Sequence, residues 1–132
     1  MAPVIKSIEH MAIASTNTKS LAHWYVSTLG FRIVVDGGEN GTYFVGPPEG
    51  AALVEIITAT TAPRHERARN DPGWSHLAFT VTDFDQAIED LTAKGVTFTN
   101  APSMSGGGDR LAFFLDGDGN VLQIVSRPKP LA

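Results

Sequence analysis

Apolar and polar positions along the chain follow a pattern that predicts strands and one helix in the first half. A β-prone run at 5–14 comes first, and the segment after it has apolar residues at the spacing of one helix face, namely Leu21, Trp24, Tyr25 and Leu29. Gly30 follows at the place where a left-handed residue ends a helix. Strands are then predicted at 31–35, 42–45 and 51–57, so this half has the order β-α-β-β-β.

The second half predicts the same order. A strand at 75–82 leads to a helix that begins at Asp83, where a capping box pairs the Asp83 carboxylate with a free backbone N–H while Gln86 reaches back. Three more strands are predicted at the ranges 96–99, 110–115 and 121–126, with a loop over 100–108. The chain therefore consists of two βαβββ modules, at about 5–58 and 74–127.

Two similar runs support an internal duplication. Each module opens with a histidine placed two residues before an alanine in an apolar run, His10 in the first and His76 in the second. The stretch 59–73 between the modules is rich in arginine and proline, which indicates a surface linker, with one helical turn expected at 64–69. We predict an α+β protein with a single domain over 1–132, whose modules form a curved mixed sheet around a cleft.

Composition and charge narrow the function classes. Hydrophobic residues make up 42% and charged residues 18% of the chain, as in ordinary globular proteins. The formal charge is -4 without a basic block, so no nucleic-acid partner is expected. The absence of cysteine excludes thiolate chemistry and restricts any metal to nitrogen and oxygen ligands. Without a signal peptide or an apolar run of membrane-spanning length, we expect a cytoplasmic protein with no membrane partner.

Four polar residues occupy matching positions in the two modules. Glu55 shares one strand face with Leu53 and Ile57, and a carboxylate among aliphatic side chains needs a partner that compensates its charge. Gln123 is the lone polar residue at the corresponding place in the last strand. Together with His10 and His76, these residues form two pseudo-symmetric pairs. Each one alone is explained as an ordinary structural residue, whereas all four together favour a shared site.

The chain resembles the vicinal oxygen chelate superfamily, which includes glyoxalase I, methylmalonyl-CoA epimerase, extradiol dioxygenases and the fosfomycin and bleomycin resistance proteins. The resemblance covers Ile-Glu-His at 8–10, Leu-Gly-Phe at 29–31 and Ser-His-Leu-Ala-Phe at 75–79. It ends with Phe-Leu-Asp-Gly-Asp-Gly-Asn-Val-Leu-Gln at 114–123, where Gly117 replaces the family's usual proline. The match is to the superfamily and not to one of its members.

The resemblance implies a divalent metal held by His10, Glu55, His76 and Gln123, with positions open to substrate oxygens. Two imidazoles, one carboxylate and one amide suit Zn, Ni, Co, Fe or Mn, and no nucleotide cofactor is expected. Glu55 is the candidate catalytic base of a lyase or isomerase of the glyoxalase I or epimerase type, acting on a small vicinal-oxygen carbonyl compound through an enolate or enediolate. Arg110 is a candidate for binding a substrate carboxylate, with a solvated strand end as the alternative, and the resemblance also implies a homodimer.

Gln123 leaves other functions open, because metal-dependent relatives usually carry glutamate there. One alternative is a non-catalytic protein that binds an antibiotic or another small molecule, since some members of the superfamily lack a metal. Such a binder would keep its affinity after Glu55→Ala, whereas an enzyme would lose activity with that change and with His76→Ala. An iron-dependent dioxygenase is a third and less favoured alternative, because those members usually keep the glutamate.

Overall fold

The structure is a computed structural model that describes residues 3–61, 68 and 70–132. The chain divides into two compact units, Met1–Pro63 and Arg64–Ala132. Over these residues, each unit has one helix and one four-stranded sheet, so the predicted α+β class and the repeated βαβββ order are confirmed. Of the helical turn expected at 64–69, only Ala68 lies within the described residues.

The N-terminal unit contains the first five elements of the chain: β1 (His10–Ser15), α1 (Thr18–Leu29), β2 (Arg32–Val35), β3 (Tyr43–Gly46) and β4 (Leu53–Thr58). The sheet order is β1-β4-β3-β2, in which β1 runs parallel to β4 and the other neighbours are antiparallel. The α1 crossover separates β1 from the hairpin strands, which allows β1 to pair in parallel with β4.

Local signals set both ends of α1. The Asn17 side chain accepts a hydrogen bond from the Ser20 backbone N–H at 2.9 Å, and Gly30 adopts the left-handed conformation with φ 72°. The buried helix residue Tyr25 lies on the same side of the sheet as the buried strand residues Tyr43, Val45, Val54 and Ile56. Because side chains alternate along a strand, His10, Phe44 and Glu55 lie on the face opposite α1.

The C-terminal unit contains the other five elements: β5 (Leu77–Thr80), α2 (Phe84–Ala93), β6 (Ser103–Met104), β7 (Arg110–Leu115) and β8 (Val121–Ser126). Its sheet order, β5-β8-β7-β6, repeats that of the first unit, with β5 parallel to β8. Phe84 and Leu91 of α2 and Phe114, Leu122 and Ile124 of the sheet are buried. By strand alternation, Phe113 and Gln123 lie on the opposite face.

The capping box predicted for α2 is half right. The Asp83 carboxylate accepts a hydrogen bond from the Gln86 backbone N–H at 3.0 Å, as expected. The Gln86 side chain does not reach back to residue 83. It donates instead to the Asp90 carboxylate at 2.8 Å, because residues four apart are neighbours on a helix surface and an ionised acceptor gives the stronger hydrogen bond.

The strand predicted at 96–99 is wrong, and the pairing strand at this edge is β6, inside the predicted loop. Near 96–99 the backbone makes an isolated bridge from Phe98 to Phe114 and a hydrogen bond from Thr99 N–H to the Phe113 carbonyl at 2.9 Å. Pro102 lacks a backbone N–H, so the ladder cannot continue through 100–102. Pairing resumes where Ser103 lies opposite Leu111.

Among the described residues, no helix has the length and apolar character needed to cross a membrane. Both helices are short and carry polar residues along one face.

Candidate functional site

The two predicted site residues of the N-terminal unit lie together on the sheet face opposite α1. Glu55 pairs with Ala12 across the parallel β1–β4 ladder, and His10 lies two residues before Ala12 on the same face. His10 Nε2 is 3.4 Å from Glu55 Oε1, and the two side chains are 33% and 22% exposed. His10 and Glu55 are therefore in contact, and both side chains are partly exposed and reachable by a ligand.

The other ring nitrogen of His10 has a partner of its own. His10 Nδ1 is 3.0 Å from Glu9 Oε1, and because an ionised carboxylate only accepts, Nδ1 carries a proton and donates it to Glu9. When the ring is neutral, its Nε2 lone pair faces a carboxylate oxygen of Glu55. Two acceptors facing each other attract a cation, and imidazole nitrogen with carboxylate oxygen is a donor set of Zn and its neighbours in the first transition row.

The C-terminal unit repeats this arrangement with neutral groups. His76 Nδ1 is 2.9 Å from Ser75 Oγ, and when the Ser75 hydroxyl accepts this hydrogen bond, Nε2 is the ring nitrogen left for a ligand. Gln123 pairs with Ala78 as Glu55 pairs with Ala12, so it has the same position in its own sheet. Its side chain is largely buried, with 8% of the residue exposed.

Each histidine also contacts a phenylalanine that sequence reasoning missed. The His10 and Phe44 ring centroids are 5.4 Å apart and nearly perpendicular, and Phe44 pairs with Glu55 across the β3–β4 ladder. The His76 and Phe113 ring centroids are 5.1 Å apart, again nearly perpendicular, and Phe113 pairs with Gln123. These edge-to-face contacts limit rotation of both imidazoles. The signal was present in the duplication, because both phenylalanines occupy the same place in the repeat.

A tight turn before β8 determines where Gln123 lies. The buried Asp116 carboxylate accepts hydrogen bonds from the backbone N–H groups of Asp118 and Asn120, both at 2.9 Å. This turn joins β7 to β8 in the register that places Gln123 opposite Phe113. The Asp-Gly-Asp-Gly-Asn segment thus positions a site residue through its backbone.

The two units supply two predicted ligands each. Their donor types fit a divalent transition metal, because both histidines present Nε2 and one carboxylate is within reach. Within each unit, the described residues include no group of three or more His, Asp or Glu side chains that could hold a metal ion. The four-ligand site made by His10, Glu55, His76 and Gln123 stays a prediction.

Arg110 lies on the other side of its sheet from Gln123. Its guanidinium donates to the Asp85 carboxylate at 2.7 Å and lies 4.5 Å from the centroid of the Phe84 ring. The hydrogen bond from Arg110 lowers the pKa of Asp85, and the same bond raises the pKa of Arg110. Substrate binding by Arg110 stays a prediction, and these contacts with α2 do not favour it.

Comparison with known proteins agrees with the duplicated architecture. The uncharacterised protein YwkD of Bacillus subtilis (strain 168) is 29% identical over 127 residues, which cover 94% of this chain and 99% of YwkD. The crystal structure of a glyoxalase/bleomycin resistance protein/dioxygenase superfamily member from Sphaerobacter thermophilus DSM 20745 matches with 27% identity and a TM-score of 0.73, over 95% of this chain and 100% of that one.

TnmS3, an antibiotic binding protein from Streptomyces sp. CB03234, shares the fold. Its TM-score is 0.74 at 23% identity, and the match covers 96% of this chain and 99% of TnmS3. The sequence model that describes the Glyoxalase/Bleomycin resistance protein/Dioxygenase superfamily matches residues 7–124. Since that match includes both βαβββ modules, the chain belongs to this superfamily.

Proposed function

We propose that the protein is a divalent-metal-dependent lyase or isomerase of the glyoxalase I or epimerase type, acting on a small carbonyl compound with neighbouring oxygens. The observation that supports this proposal is the 3.4 Å approach of His10 Nε2 to Glu55 Oε1, with His10 Nδ1 already engaged by Glu9. A histidine held in this way directs a lone pair toward the place where a carboxylate can share a cation.

In this proposal His10, Glu55, His76 and Gln123 hold the metal. A bound divalent cation supplies Lewis-acid polarisation of the two substrate oxygens, which acidifies the adjacent C–H. Glu55 is the base, because it is the only one of the four that carries a carboxylate. The proton moves from carbon to a Glu55 oxygen, and the electron pair stays on the substrate as an enolate or enediolate. Glu55 then returns the proton to the substrate.

The surroundings of Glu55 leave its carboxylate open to a substrate. Glu55 lies opposite Phe44 on one side and beside β1 on the other, where Ala12 faces it. The small Ala12 side chain does not cover the carboxylate, and 22% of the Glu55 side chain is exposed. A base must be within reach of the proton that it abstracts, and Glu55 meets this requirement.

A non-catalytic binder of small molecules is the second candidate. It is favoured by the neutral, largely buried Gln123 and by the phenylalanine beside each histidine, Phe44 and Phe113, since aromatic edges suit a flat organic ligand. TnmS3 is an antibiotic binding protein with this fold, and that likeness shows the fold alone. A binder of this kind would retain its ligand after Glu55→Ala.

Metal content and C–H exchange test the proposal together. Protein purified without a polyhistidine tag should contain a divalent transition metal or be stabilised by added Zn, Ni, Co, Fe or Mn. It should also catalyse deuterium exchange next to the carbonyl in a panel of small 2-hydroxy and 2-oxo carbonyl compounds in D₂O. Both properties should be lost in Glu55→Ala and His76→Ala, while Glu89→Gln, a change at an exposed position on α2, should keep them.

Absence of bound metal together with absence of stabilisation by each of these metals would refute the ligand assignment. A second outcome would favour the non-catalytic binder over the enzyme. In that outcome the protein binds metal but does not catalyse exchange, and Glu55→Ala still holds an aromatic ligand.

A homodimer and a cytoplasmic location belong to the same proposal. Light scattering after gel filtration tests the first, and fractionation of the source cells tests the second.

A further inference from the structure

The residue before each predicted histidine ligand bonds to the Nδ1 atom of that histidine. In the N-terminal unit the partner is the Glu9 carboxylate at 3.0 Å, and in the C-terminal unit it is the Ser75 hydroxyl at 2.9 Å. The same contact occurs in both units with different side chains, Glu9 and Ser75, which indicates a common task. The task is to select the ring nitrogen that remains for a ligand.

The two contacts differ in charge. Glu9 is an anionic acceptor, so its hydrogen bond to an imidazole N–H is charge-assisted and stronger than the one Ser75 can form. It also raises the electron density at Nε2, which makes His10 the better ligand. The N-terminal unit therefore combines a carboxylate that faces Nε2, Glu55, with a second carboxylate behind the ring.

The backbone of residue 9 is held independently of its side chain. The Glu9 carbonyl accepts a hydrogen bond from the Leu53 N–H at 2.9 Å, which places residue 9 against the start of β4. The Glu9 side chain is 83% exposed, so its hydrogen bond adds little to the stability of the fold. A side chain that contributes little to folding but meets the ring nitrogen of a candidate ligand is better explained by the function of that ligand.

We infer that Glu9 is a positioning residue that fixes the Nδ1 proton of His10 and directs Nε2 to the metal. This inference rests on the proposed function. Ser75 performs the corresponding task for His76, with a weaker effect because its hydroxyl is neutral. Replacing Glu9 therefore weakens metal binding while the fold is maintained.

The test compares metal affinity in four variants with that of wild type. Glu9→Ala removes the acceptor, Glu9→Gln keeps a neutral acceptor, and Ser75→Ala removes the contact in the other unit. Glu89→Gln, at an exposed position on α2, controls for the loss of one negative charge. Dissociation constants for Zn²⁺ and Co²⁺ are measured by competition with a chromophoric chelator, and urea unfolding of metal-free protein verifies the fold.

We expect Glu9→Ala to weaken metal affinity by roughly 10- to 100-fold, the usual loss for the outer partner of a histidine ligand. Glu9→Gln and Ser75→Ala should lose less than Glu9→Ala, and Glu89→Gln should stay within about twofold of wild type because a remote exposed charge is screened. In the Zn²⁺-loaded protein, long-range ¹H–¹⁵N spectra should show the His10 proton on Nδ1. That signal should exchange faster with water in Glu9→Ala.

Two results would overturn the inference, and they differ from each other. If wild type binds metal and Glu9→Ala matches Glu89→Gln in affinity and in the His10 spectrum, Glu9 has no positioning role and the proposed function stands. If wild type binds neither Zn²⁺ nor Co²⁺, the proposed function fails first, and the role of Glu9 falls with it.

Discussion

Replacement of Glu55 by alanine separates a metal ligand from an ordinary ion pair. In metal-free protein, Glu55 contributes a contact at 3.4 Å to a histidine that is one-third exposed. When His10 is protonated, a partly exposed pair of this kind is worth about 0.2–1 kcal/mol, and with neutral His10 it is worth less. Glu55 also lies between the aliphatic side chains of Leu53 and Ile57, where a carboxylate is costly, so its removal offsets part of the loss. Glu55→Ala should change the metal-free unfolding free energy by less than about 1 kcal/mol.

The effect should be much larger when metal is present. A metal that binds only the folded state stabilises it by about 2.7 kcal/mol at 100 times its dissociation constant. Urea unfolding of wild type and Glu55→Ala, each with and without Zn²⁺ at that concentration, measures both terms. Wild type should gain this amount and the variant should gain less than about 1 kcal/mol. Equal gains would show that Glu55 is not a ligand, and a large metal-free loss would identify it as a structural partner of His10.

Three further predictions concern the fold. Phe114→Ala should lower the unfolding free energy by about 3–5 kcal/mol, because Phe114 is fully buried, while Leu115→Ala next to it, at a 42% exposed position, should cost less than about 1.5 kcal/mol by urea unfolding. Asp83→Ala should lose about 1 kcal/mol in the same assay through the missing α2 cap, and Asp83→Asn should retain most of it. The bond from Arg110 lowers the pKa of folded Asp85 below its ordinary 3.8, so its stabilisation is present above that pH and is lost as the pH falls through the folded pKa. The stability difference between wild type and Asp85→Asn should therefore be present at neutral pH and vanish in acid, and a difference that grows in acid would contradict this sign.

Most of the fold could be predicted from the strand pattern of the sequence and from the residues that cap the helices. The bounds of β7 and β8 agree with the predicted ranges, because both strands are apolar runs and the turn of Asp, Gly and Asn between them marks the end of β7 and the start of β8. Asp83 and Gly30 marked helix ends through local hydrogen bonding that depends on few neighbours. The position of β6 could not be derived in this way. The run at 96–99 has strand composition, but the edge of β7 decides which part of the chain pairs with it.

Only part of the candidate site could be predicted from the sequence. Alternation placed Glu55 and Gln123 on corresponding strand faces, and the duplication matched His10 with His76. The phenylalanine contacts of both histidines depend on the register between strands, which a single sequence does not state. Arg110 shows most clearly what a single sequence does not predict about contacts between elements. Its position in the sequence suggested binding of a substrate carboxylate or a solvated strand end, and the hydrogen bond of its guanidinium to Asp85 on the helix-covered face could not be derived from the sequence.

Divergence between the two units concerns charge more than geometry. An alanine faces the polar strand residue in both sheets, a phenylalanine contacts both histidines, and a polar neighbour bonds to Nδ1 in both. At the matched positions around the histidines, the N-terminal unit has the anionic residues Glu9 and Glu55, whereas the C-terminal unit has the neutral residues Ser75 and Gln123. In the proposed site, a cation would be held mainly by the ligands of the N-terminal unit, and the neutral Gln123 would leave its positive charge less compensated. A less compensated metal is the stronger Lewis acid, so a glutamine at position 123 would fit the proposed catalysis, with Glu55 as the only carboxylate among the four proposed ligands to transfer the proton.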